Sequence, residues 1–110
     1  GAAAKTLARR EVALYLPVIA ALDKTVEIDP DILAGINTAA ADYDYDRAAS
    51  FISDDLLQKF AFAGTPTEII TQTQALLDAG AARIEFGTPH GLTTAEGLRL
   101  LGDKVLSAFQ

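Results

Sequence analysis

Between Val12 and Leu22 the chain carries no charged side chain, and this stretch restricts the possible folds more than any other. Ala2 to Leu22 reads as a helix: Ala8, Val12, Tyr15, Ile19 and Leu22 recur at alternating spacings of four and three, and Leu14, Leu16 and Val18 widen the stripe. Lys5, Arg9, Arg10 and Glu11 put all the charge in its first half. The second half is therefore expected to be buried on more than one side. Pro17 has no N–H to offer Ala13 and its ring crowds that turn, which predicts a kink or break. The run is too short to span a bilayer. A chain of 110 residues makes at most one small domain, and so apolar a helix asks for more partners than the remainder readily supplies.

Asp29 followed by Pro30 predicts a helix start, with Ile32, Leu33 and Ile36 on one face and an end near Ala41. A short helix is expected from Asp44 to Phe51, and Ser53-Asp54-Asp55 caps another whose inner face is Leu56, Leu57 and Phe60. Thr65-Pro66-Thr67-Glu68 is a capping box with proline in the first turn, and Gly80 is the expected left-handed end of that helix.

After Gly80 the period changes. Arg83-Ile84-Glu85-Phe86 alternates with period two up to Gly87, which predicts a strand over 83–87. Thr93-Thr94-Ala95-Glu96 is a second capping box, opening a final helix through Leu98, Leu100, Leu101, Val105, Leu106 and Phe109. Helix, strand, loop and helix in that order form a piece of an α/β protein with a parallel sheet. Phe60 to Ala63 is a weaker second strand candidate, and a lone strand makes no sheet.

Composition narrows the function. Half the residues are apolar and 22% are charged, the balance of a folded chain. A formal charge of −6 argues against nucleic acid or an anionic membrane, since both need a basic face. Without cysteine there is no disulfide, thiolate nucleophile or cysteine-bound zinc, and a lone histidine, His90, removes a histidine-rich metal site. No signal-peptide pattern is visible, which makes a soluble cytoplasmic protein the expectation. The chain begins Gly1-Ala2-Ala3-Ala4 and contains no methionine, so a segment cut from something longer is expected.

Gly87-Thr88-Pro89-His90-Gly91 falls between the expected strand and the last helix, where parallel α/β folds bind ligands. Free N–H groups of that helix could hold a phosphate or carboxylate, and His90 could move a proton near neutral pH. The plain alternative is an ordinary turn with an exposed histidine. Phe62-Ala63-Gly64-Thr65-Pro66 echoes the loop, but turn and cap geometry explain it. Asp42-Tyr43-Asp44-Tyr45-Asp46 imitates a calcium loop, then fails at Arg47, where glycine is needed, and at Ser53, where a glutamate belongs. Arg9-Arg10-Glu11 is either an anion clamp or, more simply, a solvated turn with local ion pairs. Tyr15, Tyr43 and Tyr45 are expected to be packing residues.

The segments 52–68 (ISDDLLQKFAFAGTPTE) and 76–92 (LLDAGAARIEFGTPHGL) resemble the C-terminal region of the luciferase-like monooxygenase superfamily. Within it they resemble most the coenzyme F420-dependent methylenetetrahydromethanopterin reductase branch. Residues 100–109 are similar to that family's last helix, and 9–16 to a helix nearer the barrel centre. The resemblance implies the C-terminal fragment of a (β/α)₈ TIM-type barrel, α/β in class and mostly helical here. Arg83 to Gly87 would be the eighth barrel strand, with residues 1–110 one C-terminal segment and the N-terminal part of the barrel absent. It also implies hydride transfer between a reduced deazaflavin, coenzyme F420, and a small-molecule substrate, with the isolated segment inactive. Gly87, Thr88, Pro89 and His90 match the motif at the barrel mouth and become candidate pocket-lining residues, while the catalytic residues would lie in the absent part. A flavin-dependent luciferase-like monooxygenase using FMN is an alternative. Another is a non-catalytic helical module for oligomerisation or interaction. No metal is expected. Unpaired strand edges and the apolar first helix point to a homo-oligomer.

Overall fold

The computed structural model describes residues 1–110. Six α-helices follow one another: α1 (Ala2–Leu22), α2 (Pro30–Ala41), α3 (Tyr45–Ser50), α4 (Asp54–Gln58), α5 (Pro66–Asp78) and α6 (Thr94–Leu100). A π-helical turn, Leu101–Val105, and a 3₁₀ turn, Leu106–Phe109, complete the chain. Helix accounts for 66% of the residues and there is no strand. This overturns the α/β expectation and the strand over 83–87. Ile84 and Phe86 do turn inward while Arg83, Glu85 and Gly87 face out, and Arg83 pairs with Glu85 at 2.6 Å on one side. Exposure alternates along the segment, but no second segment pairs with it to form a ladder. Period two reports an in–out alternation, whereas a strand needs a hydrogen-bonded neighbour. Phe60–Ala63 forms no strand either.

The chain divides into two compact units, residues 6–61 and residues 1–5 with 62–110. In the first, Val12, Ala13 and Leu16 of α1 are buried with Ile36, Ala39, Ala48, Ala49, Ile52 and Leu57. The inner face of α1 is thus centred on residues 12, 13 and 16, and Tyr15 and Leu22, placed inward by the sequence pattern, face outward. Nor is its second half covered all round. The helix runs without interruption through Pro17, so the expected break is absent. Arg9 donates to the Ile52 carbonyl at 3.0 Å and pairs with Asp54, and Arg10 lies 3.5 Å from Asp46. These arginines therefore bind residues far along the chain rather than forming local pairs. α2 packs on α3, where a Cβ at Gly35 would overlap the Phe51 ring.

The helix ends follow the sequence closely. Asp29 accepts from Asp31 N–H at 2.8 Å, Asp44 from Arg47 N–H at 3.1 Å and Ser53 from Leu56 N–H at 3.1 Å. α2 ends with Tyr43 at φ 56°, whose N–H donates to Ala40 O at 3.0 Å while Asp44 N–H donates to Ala39 O at 2.9 Å. In the second unit, α5 has both halves of its capping box and closes on Gly80 at φ 106°. There Gly80 N–H donates to Leu77 O and Ala81 N–H to Leu76 O, each at 3.0 Å, which is a Schellman motif. The buried residues of this unit are Ala63, Thr73, Gly97 and Val105. The last helix changes pitch rather than continuing as α: Leu106 N–H reaches Leu101 O, and Val105 is buried where the π turn packs on α5.

Candidate functional site

Residues 81–93 carry the chain from the Schellman end of α5 to the Thr93 cap of α6 without regular structure. Two anchors shape this stretch. The Phe86 ring meets Phe62 edge to face, with centroids 6.3 Å apart. His90 Nε2 then donates to the Phe86 carbonyl at 3.0 Å, closing residues 86–90 into a loop. A carbonyl can only accept, so Nε2 carries a proton, and in the neutral ring it is Nδ1 that keeps the lone pair. That Nδ1 is buried and has no partner.

The far side of the loop rests on α6, backbone to backbone. A Cβ at Gly97 would overlap the His90 carbonyl, and one at Gly91 would stand 3.2 Å from Gly97 Cα. Gly91 also has φ 132°, a conformation that side chains rarely adopt. Gly87, Thr88 and Pro89 are exposed, His90 is half-buried, and the Thr88–Pro89 peptide is cis.

The start of α6 is poorly suited to an anion. Thr93 Oγ1 accepts the Glu96 N–H at 3.4 Å, and the Glu96 carboxylate stands in the first turn. That carboxylate does not fold back as a capping box. It takes a two-pronged pair from Arg99 at 2.8 and 2.9 Å, which lowers its pKa and raises that of Arg99. The phosphate or carboxylate seat expected here is thus filled by the protein's own charge.

At the echo loop, Glu68 does complete its box. Its carboxylate accepts from Lys5 Nζ at 2.9 Å and from Thr65 N–H at 2.6 Å, and the Lys5 hydrogen bond above all brings its pKa to about 2. In the other unit, a shallow cleft of about 410 Å³ is lined by Thr25, Val26, Glu27, Lys59 and Phe60. The sequence carries no motif for it; the one local signal is Asp23, which accepts from Thr25 Oγ1 at 2.7 Å and from Thr25 N–H at 2.9 Å and is acidified by them. The Asp42–Asp46 run is divided between roles, with Asp44 capping α3 and Asp46 facing Arg10. No group of three or more histidine, aspartate or glutamate side chains is placed to hold a metal. No helix is long and apolar enough to cross a membrane.

The chain is 27% identical over 108 residues to a 5,10-methylenetetrahydromethanopterin reductase from Methanolobus tindarius, covering 94% of this chain and 33% of that protein. A reductase of the same name from Methanopyrus kandleri is 26% identical over 83 residues, covering 76% of this chain and 24% of the relative. One from Archaeoglobus fulgidus is 25% identical over 71 residues, covering 64% and 21%. The chain thus spans about a fifth to a third of the length of the curated relatives it matches. No family model and no solved structure matches it.

Proposed function

We propose that this chain is a segment of a coenzyme F420-dependent oxidoreductase resembling methylenetetrahydromethanopterin reductase, and that the segment is inactive alone. The observation that carries the reading is the match to three proteins of that one name, one of them over 94% of the chain. The residues at hand fit such a cofactor as a single wall. Gly87, Thr88 and Pro89 present exposed backbone that a flat ring system can approach, and the buried Nδ1 of His90 is an acceptor without a donor. They enclose no cavity by themselves.

When bound, a reduced deazaflavin supplies the hydride that passes to the substrate carbon. The part of residues 87–90 in that setting is to position the ring and exclude water from one side. His90 is fixed by its bond to the Phe86 carbonyl, and the Gly91–Gly97 contact holds the loop against α6. Its Nε2 proton is committed to the Phe86 carbonyl, so His90 braces the loop and does not donate that proton to the ligand.

The test is a chimera in which this chain replaces the matched third of the Methanolobus tindarius reductase. A folded, monodisperse chimera that binds coenzyme F420 by fluorescence titration and transfers hydride supports the reading; a folded chimera that does neither overturns it. Titration of the 110-residue chain alone is expected to show no F420 binding below about 100 μM.

A non-catalytic interaction module is the second reading, and one observation favours it: the apolar outer face of α1, which nothing in the chain covers.

A further inference from the structure

Two loops of the second unit share a short pattern, Phe62-Ala63-Gly64-Thr65-Pro66 and Phe86-Gly87-Thr88-Pro89, and each opens on a phenylalanine. Folding brings those two rings together, edge to face, with centroids 6.3 Å apart and planes at 63°. Both residues are half-buried. Turn and cap geometry accounts for the glycine, threonine and proline of the first loop, but it calls for no aromatic ring at Phe62.

The two loops differ in how firmly they are held. The first is fastened at the entry of α5: Ala63 is buried, and the Glu68 carboxylate accepts from Thr65 N–H and from Lys5 Nζ. The second forms no backbone–backbone hydrogen bond between residues 82 and 92. Beyond the exposed Arg83–Glu85 pair, it depends on Gly91 against Gly97, on the His90–Phe86 bond, and on the Phe86 ring against that of Phe62. Phe86 joins the last two, since its carbonyl accepts from His90 Nε2 while its ring meets Phe62.

We propose that Phe62 is a positioning residue for the wall formed by Gly87, Thr88 and Pro89. Its ring, carried on the fastened loop, fixes the Phe86 ring. Through the Phe86 carbonyl and His90 it then selects one position of the exposed backbone between them. A ligand that needs this position binds more weakly in proportion to the fraction of molecules whose loop has left it. An edge-to-face ring pair contributes enough to change such a fraction several-fold, and it does so before binding, by preorganisation. Phe62 thus acts on the ligand without touching it. The identity of that ligand, coenzyme F420, rests on the reductase reading, whereas the coupling from Phe62 to His90 is a property of the chain itself.

The coupling is tested in the 110-residue chain by nitrogen-15 and proton spectra of its single histidine. Phe62→Leu, checked for unchanged circular dichroism, should move the His90 ring signals and speed exchange of the Nε2 proton with water about three- to tenfold. Phe86→Leu, which removes the other ring, should do the same, and Phe62→Tyr, which keeps the ring, should leave the native signals. His90 signals indifferent to the loss of either ring, or moved equally by Phe62→Leu and Phe62→Tyr, would overturn the proposal. In the chimera with the Methanolobus tindarius reductase, Phe62→Leu should raise the KM for coenzyme F420 about three- to tenfold and keep kcat within about twofold, with Phe62→Tyr native-like. A fall in kcat at unchanged KM would set Phe62 against the reacting groups and overturn the positioning role, as would a chimera that treats phenylalanine and leucine alike. A chimera with native Phe62 that binds no F420 overturns the reductase reading, and the role of Phe62 toward that ligand with it.

Discussion

The carbonyl group of His90 lies where a side chain on Gly97 would have to stand. A Cβ at Gly97 would overlap that carbonyl and come within 3.0 Å of the Gly91 nitrogen, so loop and helix meet without an intervening side chain. Because the obstacle is backbone, no rotamer change relieves it. Gly97→Ala should destabilise the chain by about 3 kcal/mol and shift its urea midpoint down accordingly. Gly102, also in the last helical stretch, has nothing within 4 Å of a built Cβ. Gly102→Ala is expected to be neutral or to stabilise by up to ~1 kcal/mol, and similar losses at both positions would contradict the close approach.

When its ring is neutral, His90 should be the Nε2–H tautomer. The Phe86 carbonyl 3.0 Å from Nε2 holds the proton there and leaves Nδ1 bare. Nitrogen-15 spectra at pH 9 distinguish the two ring nitrogens, and a proton found on Nδ1 would contradict the loop geometry. Since the chain has one histidine, the assignment is unambiguous.

Glu68 links the first turn of α1 to the start of α5, and its pKa of about 2 stands below the ordinary 4.5. A carboxylate whose pKa is depressed in the fold adds stability above its unfolded pKa, and that contribution is lost as pH falls through the folded value. The unfolding midpoint should therefore decline between about pH 4.5 and pH 2 in the native chain. Glu68→Gln, which keeps an acceptor for Thr65 but cannot ionise, should flatten the curve in that window. It should be the less stable of the two at pH 7, with the difference vanishing at or below pH 2. A mutant curve parallel to the native one would remove Glu68 as the cause.

Leu16 and Tyr15 are neighbours on α1 with opposite surroundings, Leu16 at 0% exposure and Tyr15 at 61%. Leu16→Ala should cost about 2–5 kcal/mol, whereas Tyr15→Ala, measured at low micromolar concentration, should stay within ~0.5 kcal/mol. Chemical denaturation of both variants settles which face of α1 is the core.

Much of the fold was legible in short segments because the physics that sets it is local. Asp29, Ser53, Thr65 and Thr93 each cap the helix expected of them, and Asp44 caps the short helix expected to begin there, since a side-chain oxygen two or three residues from a free N–H needs no distant partner. Gly80 ends α5 for the same reason. The loop at Gly87–His90 was also visible as a break between patterned segments. Its internal form, with His90 turned back on Phe86 and its carbonyl set against Gly97, depends on three separated stretches meeting.

By itself, then, the sequence determined where helices begin and end, that the chain would be largely helical, and which residues form the connecting loop. Tertiary structure alone decided the rest. It left Arg83–Gly87 an irregular segment and not a strand, because alternation is a property of one segment and a ladder is a property of two. It chose Val12, Ala13 and Leu16 as the buried face of α1, since a helix apolar on both sides offers two stripes and the neighbours fill only one. Likewise it sent Arg9 to Asp54 and Arg10 to Asp46, partners that local spacing cannot reveal. Each of these outcomes rests on groups brought together by folding, and their sequence separation hides them until the chain has closed.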